Sequence, residues 1–320
     1  MTKINNSVVM DIKQQQEVDN LKKALTYQEY IYYDANPENY VTDRPYYLDG
    51  QHFKNFFRMI GDCFDELRAE LYNNPNCGYI THFNDVAKEG IKLEHLSVLA
   101  KRVPASNAFS EVMASRILNA LGVPTSCNIA FYETPAAPTR VIGSIDFISP
   151  GEEFIPCVDI GLSACCRSAN LKNMVDEISK TLKKDKIVKK NPELEKQIIE
   201  DLIYSYLVRR LVLGDNDFGP WNYGLLRNKE NQYVKFINFD FENSFFQNRI
   251  AECEFAIEYV MKEFPHIFEK FEHMLKNLYD AVEEILPTIE DEENKKNYAI
   301  LKDNIKNVII TIDLVRSKVL

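Results

Sequence analysis

No apolar run in this chain approaches the roughly 18 residues that a membrane-spanning helix needs, and its opening residues, MTKINNSVVMDIKQQQ, hold no secretory apolar core. The expectation is a cytoplasmic protein with no membrane span. Excess positive charge is missing as well: 38 Lys and Arg stand against 48 Asp and Glu, giving a net charge of −10 and a pI near 5.2. That balance argues against nucleic acid or an anionic membrane as the main partner, because gripping a phosphate backbone takes a surplus of Lys and Arg. Paired cysteines are also wanting. The seven (Cys63, Cys77, Cys127, Cys157, Cys165, Cys166 and Cys253) form no CxxC pair, so reduced thiols are expected rather than a zinc site or a disulfide framework. The five histidines make no HxxxH or HExxH pattern. What remains is a globular composition, 45% apolar and 27% charged, in 320 residues, enough for a two-lobed domain or two small ones.

Residues 1 to 73 read as an N-terminal extension, with Phe53, Phe56, Phe57, Ile60, Phe64, Leu67 and Leu71 at helical spacing and a helix therefore expected over Gln51 to Leu71. From Asn73 to about residue 150 the chain reads as a small β-rich lobe. Strands are expected at Tyr79 to Phe83 and at His95 to Val103, the latter carrying Lys101. A break at Pro104 to Ser106 precedes a helix over Asn107 to Leu121, with Glu111 in its first turn, Gly122 at its end and Pro124 beyond. Two further strands, Ser126 to Tyr132 and Arg140 to Ile148, lead into a Pro/Gly break. There Asp146, Phe147 and Ile148 are the candidates to hold an adenine ring by their backbone. Residues 151 to 320 read as a mostly helical lobe. An apolar helix over Ile198 to Leu213 delivers a loop, and three amphipathic helices follow, breaking at Pro265, near Pro287 and at the acidic run Glu290 to Glu293.

That loop is where the sequence points to chemistry. Asp217 and Asn222 stand five residues apart in a Gly/Pro-containing segment, and a strand-like run from Tyr233 to Phe239 delivers Asp240. Phosphoryl transfer needs a carboxylate to orient and deprotonate an acceptor hydroxyl, and oxygen ligands to hold magnesium on the nucleotide phosphates. Asp217 suits the first role; Asn222 and Asp240 suit the second. A turn alone would use the same residue types, since Asx side chains shape turns and Gly supplies positive φ, but it leaves the carboxylate after the apolar strand unexplained. An EF-hand calcium loop fits badly. Counted from Asp215, Pro220 stands where Gly is needed and Leu226 where Glu is needed.

The ordered set Lys101, Glu111, Asp217, Asn222, Asp240 resembles an atypical kinase, most of all the HipA-like toxin kinases and more remotely the phosphatidylinositol 3/4-kinases. Gly214-Asp215-Asn216-Asp217 with Asn222, then Asn238-Phe239-Asp240-Phe241, match that group's catalytic and metal-binding motifs, and SEVMASRILNALGVPTS resembles its glutamate-bearing helix. The resemblance covers about residues 95 to 245. It implies an α+β, bilobal kinase-like fold, ATP and Mg2+ as cofactors, and phosphorylation of Ser or Thr on a protein substrate, in a toxin or an effector delivered into a host cell. Asp217 would be the base, Lys101 the phosphate ligand braced by Glu111, and Asn222 and Asp240 the metal ligands. The chain departs from the pattern in three places. Phe218-Gly219-Pro220-Trp221 stands where the group carries His and often Lys, no GxGxxG loop precedes Lys101, and Asp240-Phe241-Glu242 ends without glycine. A non-catalytic binding protein on the same scaffold, or a lipid or small-molecule phosphotransferase, would share these motifs.

Overall fold

The structure, a computed structural model, describes residues 12–31, 54–60, 95–132, 135–145, 152–157, 170–184, 191–228 and 233–319. The expected strand at Tyr79 to Phe83 and the candidate adenine contacts Asp146, Phe147 and Ile148 lie outside them. Helix α1 (Ile12–Ala24) opens the chain, followed by the short strand β1 (Glu29–Ile31) and by β2 (Lys54–Ile60). A helix was expected across this last stretch; β2 instead pairs antiparallel with β3 (His95–Pro104) from Lys54 opposite Lys101 to Ile60 opposite His95. Phe and Ile favour strands as well as apolar helix faces, and the open edge of β3 decides between them through its ladder of backbone hydrogen bonds.

No break separates β3 from the next helix. Pro104 is the last residue of the strand and α2 (Ala105–Ala120) starts immediately after it, which suits a residue with no N–H to satisfy and a φ already near helical values. Glu111 therefore lies in the second turn rather than the first, where the helix dipole has little hold on it. α2 is buried on two sides. Ala108 and Val112 pack with Val103, Ala130 and Ile142 of the sheet, while Phe109, Met113 and Ile117 join a core shared with Val18, Leu21 and Leu25 of α1. Each of the larger side chains among them contributes about 1.5–3 kcal/mol on burial. The helix ends in a Schellman turn: Gly122 N–H donates to the Asn119 carbonyl at 3.0 Å, Val123 N–H to the Leu118 carbonyl at 2.9 Å, and Gly122 takes φ +71°.

β4 (Cys127–Tyr132) and β5 (Thr139–Ile145) complete a five-stranded sheet among the described residues, in the order β1-β4-β5-β3-β2, antiparallel apart from β1 on β4. A second, antiparallel sheet runs β6 (Glu152–Pro156), β7 (Tyr223–Asn228), β8 (Tyr233–Asn238). β6 and β7 were not anticipated from the sequence; their short runs lie beside Gly/Pro-rich segments that read as loop.

The helices α3 (Leu171–Leu182) and α4 (Pro192–Tyr206) precede a π-helical turn at Leu207–Val212, and α5 (Ile250–Glu263), α6 (Pro265–Ile285) and α7 (Glu292–Val319) close the chain. The three C-terminal helices break where the sequence placed the breaks. The result is the expected α+β, bilobal plan, a small sheet-rich lobe and a larger, mostly helical one. No helix among the described residues is long and apolar enough to cross a membrane.

The lobes are stitched where residues 124–126 pass the end of β8. Asn238 donates to the Pro124 carbonyl from its backbone N–H (3.1 Å) and from its amide (2.9 Å), and its own carbonyl accepts from Ser126 N–H at 2.9 Å and from the Thr125 hydroxyl at 3.2 Å.

Candidate active site

The β7–β8 hairpin brings the two halves of the sequence motif together. Its register sets Tyr223 opposite Asn238, so Asn222 and Phe239 meet at the open end, where Phe239 N–H donates to the Asn222 carbonyl at 3.0 Å. Asp240 follows at φ +62°, a left-handed conformation that costs a non-glycine residue about 1–3 kcal/mol and that surrounding contacts must hold. Upstream, the π-helical turn ends with Leu213 N–H on the Val208 carbonyl, and Gly214 reverses the chain at φ +63°. Only glycine fits there, since a Cβ would sit 1.8 Å from the Phe246 carbonyl oxygen. Asp215 then accepts the Asp217 N–H on Oδ1 at 2.9 Å, an Asx turn that aims the Asp217 side chain.

One guanidinium ties these segments to each other. Arg209, fully buried in the π-helical turn, donates to Asp215 Oδ2 from Nε (2.8 Å) and Nη2 (2.5 Å), to the Asn222 carbonyl (3.0 Å), to the Phe239 carbonyl (3.3 Å), to Asn238 Oδ1 (3.3 Å) and to the Asp240 carbonyl (3.0 Å). Its charged plane also lies against the rings of Phe218 and Phe241, 5.1 and 4.6 Å from their centroids. Asp217 and Asn222 are paired directly. The Asn222 amide donates to Asp217 Oδ2 at 3.1 Å and to its carbonyl at 2.7 Å, and Trp221 Nε1–H donates to Asp217 Oδ1 at 3.1 Å.

On the small-lobe side, Lys101 Nζ donates to Glu111 Oε1 and, at 2.6 Å, to Asp240 Oδ1. Glu111 Oε2 accepts the Asn128 amide at 3.0 Å and the Phe241 N–H at 3.2 Å, so the carboxylate on α2 reaches both the lysine and the backbone just after Asp240. Burial pushes the Glu111 carboxyl up to about 7 against the pull of the Lys101 ammonium. Burial also opposes the charge on Lys101, yet the Glu111 and Asp240 carboxylates outweigh it and raise the pKa above the ordinary lysine value.

The donor set suits a hard divalent cation. Carboxylate oxygens of Glu111, Asp240 and Glu242 lie within 4.8 Å of one another, and Asn222, whose amide N–H groups go to Asp217, has its amide oxygen left to offer. Lys101, Glu111 and Asp240 thus share one cluster and Asp217 and Asn222 another, with Arg209 bonded to both chain segments. Sequence reasoning missed Arg209, Asn128, Trp221 and Asp215 as site residues. Arg209 stands beside Arg210 in the run LVRRLVL, and nothing in the sequence says which of the two is buried; nothing marks Asn128 either.

No protein-family model and no curated protein matches the chain. Among solved structures it is similar to a Helicobacter pylori proinflammatory kinase, CtkA, at 13% identity and a TM-score of 0.49, over 70% of this chain and 92% of that one.

Proposed function

We propose that this chain is an ATP- and magnesium-dependent phosphotransferase acting on Ser or Thr hydroxyls of a protein. The observation that carries the reading is the buried Lys101–Glu111 pair bonded to Asp240, on the same hairpin base as the Asp217–Asn222 pair. Asp240, its side chain about a quarter exposed, keeps a face toward solvent where a ligand can reach it.

In this reading Asp217 accepts the proton of the acceptor hydroxyl as its oxygen bonds the γ-phosphorus, and the bond from that phosphorus to the β,γ-bridging oxygen breaks, with ADP leaving. Lys101 meets the nucleotide phosphates, and Glu111 keeps its ammonium aimed. Asn222 and Asp240 would hold magnesium, which neutralises charge on the phosphates when bound. Arg209 keeps the two loops at fixed separation.

The test is transfer from γ-labelled ATP to a degenerate serine and threonine peptide library, with lipid and sugar acceptors run in parallel. Wild type should label peptides only with Mg2+, and Asp217→Ala should cost about 10²–10⁴-fold in rate. Labelling of lipid or sugar alone would move the acceptor class. Tight Mg-ATP binding with no transfer to anything would leave a nucleotide-binding scaffold.

A further inference from the structure

Trp221 is the single tryptophan of the chain, and it lies on the candidate catalytic carboxylate while its ring is 47% exposed. Its place is built into the loop. A Cβ on Gly219 would lie 2.6 and 2.7 Å from the indole Cζ2 and Cε2, so only glycine two residues earlier lets the ring fold back over its own turn. Asn222 N–H on the Gly219 carbonyl, at 2.8 Å, closes that turn. With Nε1 on Oδ1 and the Asn222 amide on Oδ2, each oxygen of Asp217 has one donor and keeps lone-pair capacity for a third group. A hydroxyl bonded to Oδ1 at roughly 2.7 Å lies within about 6 Å of the indole nitrogen, near enough for the residue that carries it to touch the ring.

We propose that Trp221 is the acceptor-side positioning residue of this site. Its N–H fixes the orientation of the Asp217 carboxylate, and its exposed face is the surface on which the side chain next to the acceptor hydroxyl stacks. The inference rests on the phosphotransferase reading and assigns a selectivity element within it. A neutral donor here does the orienting without placing a second positive charge beside the base.

Two substitutions separate the roles. Trp221→Phe keeps a ring and removes the N–H; Trp221→Ala removes both. With the best peptide from the degenerate library, Trp221→Phe should lower kcat about tenfold with peptide KM within about twofold, and Trp221→Ala should raise peptide KM about tenfold besides, with KM for ATP unchanged in both. A merely structural tryptophan would not split the parameters this way. Because no other tryptophan emits, Asp217→Ala should also shift the intrinsic fluorescence of the protein. Unchanged emission in Asp217→Ala, full kcat in Trp221→Phe, or wild-type peptide KM in Trp221→Ala each overturns the inference alone. A wild type that labels no peptide overturns the phosphotransferase reading and this role with it, and a fluorescence shift seen in that case tells this failure from a misplaced Trp221.

Discussion

A buried guanidinium has five N–H groups to satisfy, and Arg209 places them on one carboxylate, one side-chain amide and three main-chain carbonyls. Lysine has three donors and no planar fork, so Arg209→Lys should keep the charge beside Asp215 yet loosen the carbonyls of Asn222 and Asp240. The expected outcome is a higher Mg2+ requirement in the transfer assay, with a loss of about 1–3 kcal/mol in urea unfolding as buried carbonyls lose their donor. Arg209→Met strands the Asp215 carboxylate in the interior and should cost about 3–5 kcal/mol in urea unfolding. Asp201 offers a pH test away from the site. Burial pushes its carboxyl up to about 6, with Lys235 and Lys270 pulling the other way, whereas an unfolded Asp titrates near 3.9. The folded state holds this proton more tightly, so its stabilising contribution is complete below the unfolded pKa and is lost as pH rises through about 6. Asp201→Asn should therefore gain on the order of 1–2 kcal/mol over wild type at pH 8 and little at about pH 3, below the unfolded pKa, read from unfolding midpoints.

At the scale of elements, α2 is held from both sides of the molecule. Arg116 on α2 donates to the Ala24 carbonyl at 3.1 Å and the Lys23 carbonyl at 3.0 Å, capping the last turn of α1, and Tyr298 on α7 donates to the Leu25 carbonyl. The helix that carries Glu111 is thus bonded to the end of α1, which α7 holds in turn, and Phe109 on α2 meets the Tyr298 ring edge-on at 5.4 Å. α7 supports the loop that carries Asp217 too, since the Asn304 amide donates to the carbonyls of Val212 at 3.1 Å and Phe246 at 2.8 Å, the latter being the oxygen that excludes a side chain at Gly214. Between the lobes Asn238 is one tie beside the Lys101–Asp240 and Phe241–Glu111 bonds, and its amide also reaches the Ser205 hydroxyl at 2.9 Å. Asn238→Ala leaves the Pro124 carbonyl only the backbone N–H of residue 238 and takes a partner each from Arg209 and the buried Ser205 hydroxyl. A loss of about 2–3 kcal/mol in chemical unfolding is expected, with faster limited proteolysis near residues 124–126.

The whole molecule carries a net charge of −10, an unfavourable field for a nucleotide polyanion unless a divalent cation accompanies it. ATP should accordingly raise the thermal midpoint with Mg2+ present and leave it in place with EDTA; at a hundred times Kd the gain is about 2.7 kcal/mol. An equal shift in EDTA would remove Asn222 and Asp240 from the metal role. Much of the architecture was legible locally. Helices with one apolar face, such as α4 to α7, announce themselves by three- and four-residue spacing, Gly122 marks the end of α2 and Pro265 the break between α5 and α6, because these signals depend only on neighbours in the chain. The strand nature of residues 54–60 was not legible, since aromatic and β-branched residues serve either state until an edge such as β3 is there to pair with. The order Lys101, Glu111, Asp217, Asn222, Asp240 also came from the sequence alone, as residue types suited to one chemistry. Their gathering into one cluster of Lys101, Glu111 and Asp240 and another of Asp217 and Asn222 did not. It was decided by the β7–β8 register and by the hydrogen bonds of Arg209, Asn128 and Asn238, contacts between residues far apart in the chain, which local pattern cannot encode because nothing near these residues distinguishes a polar side chain that will be buried from one that will meet water.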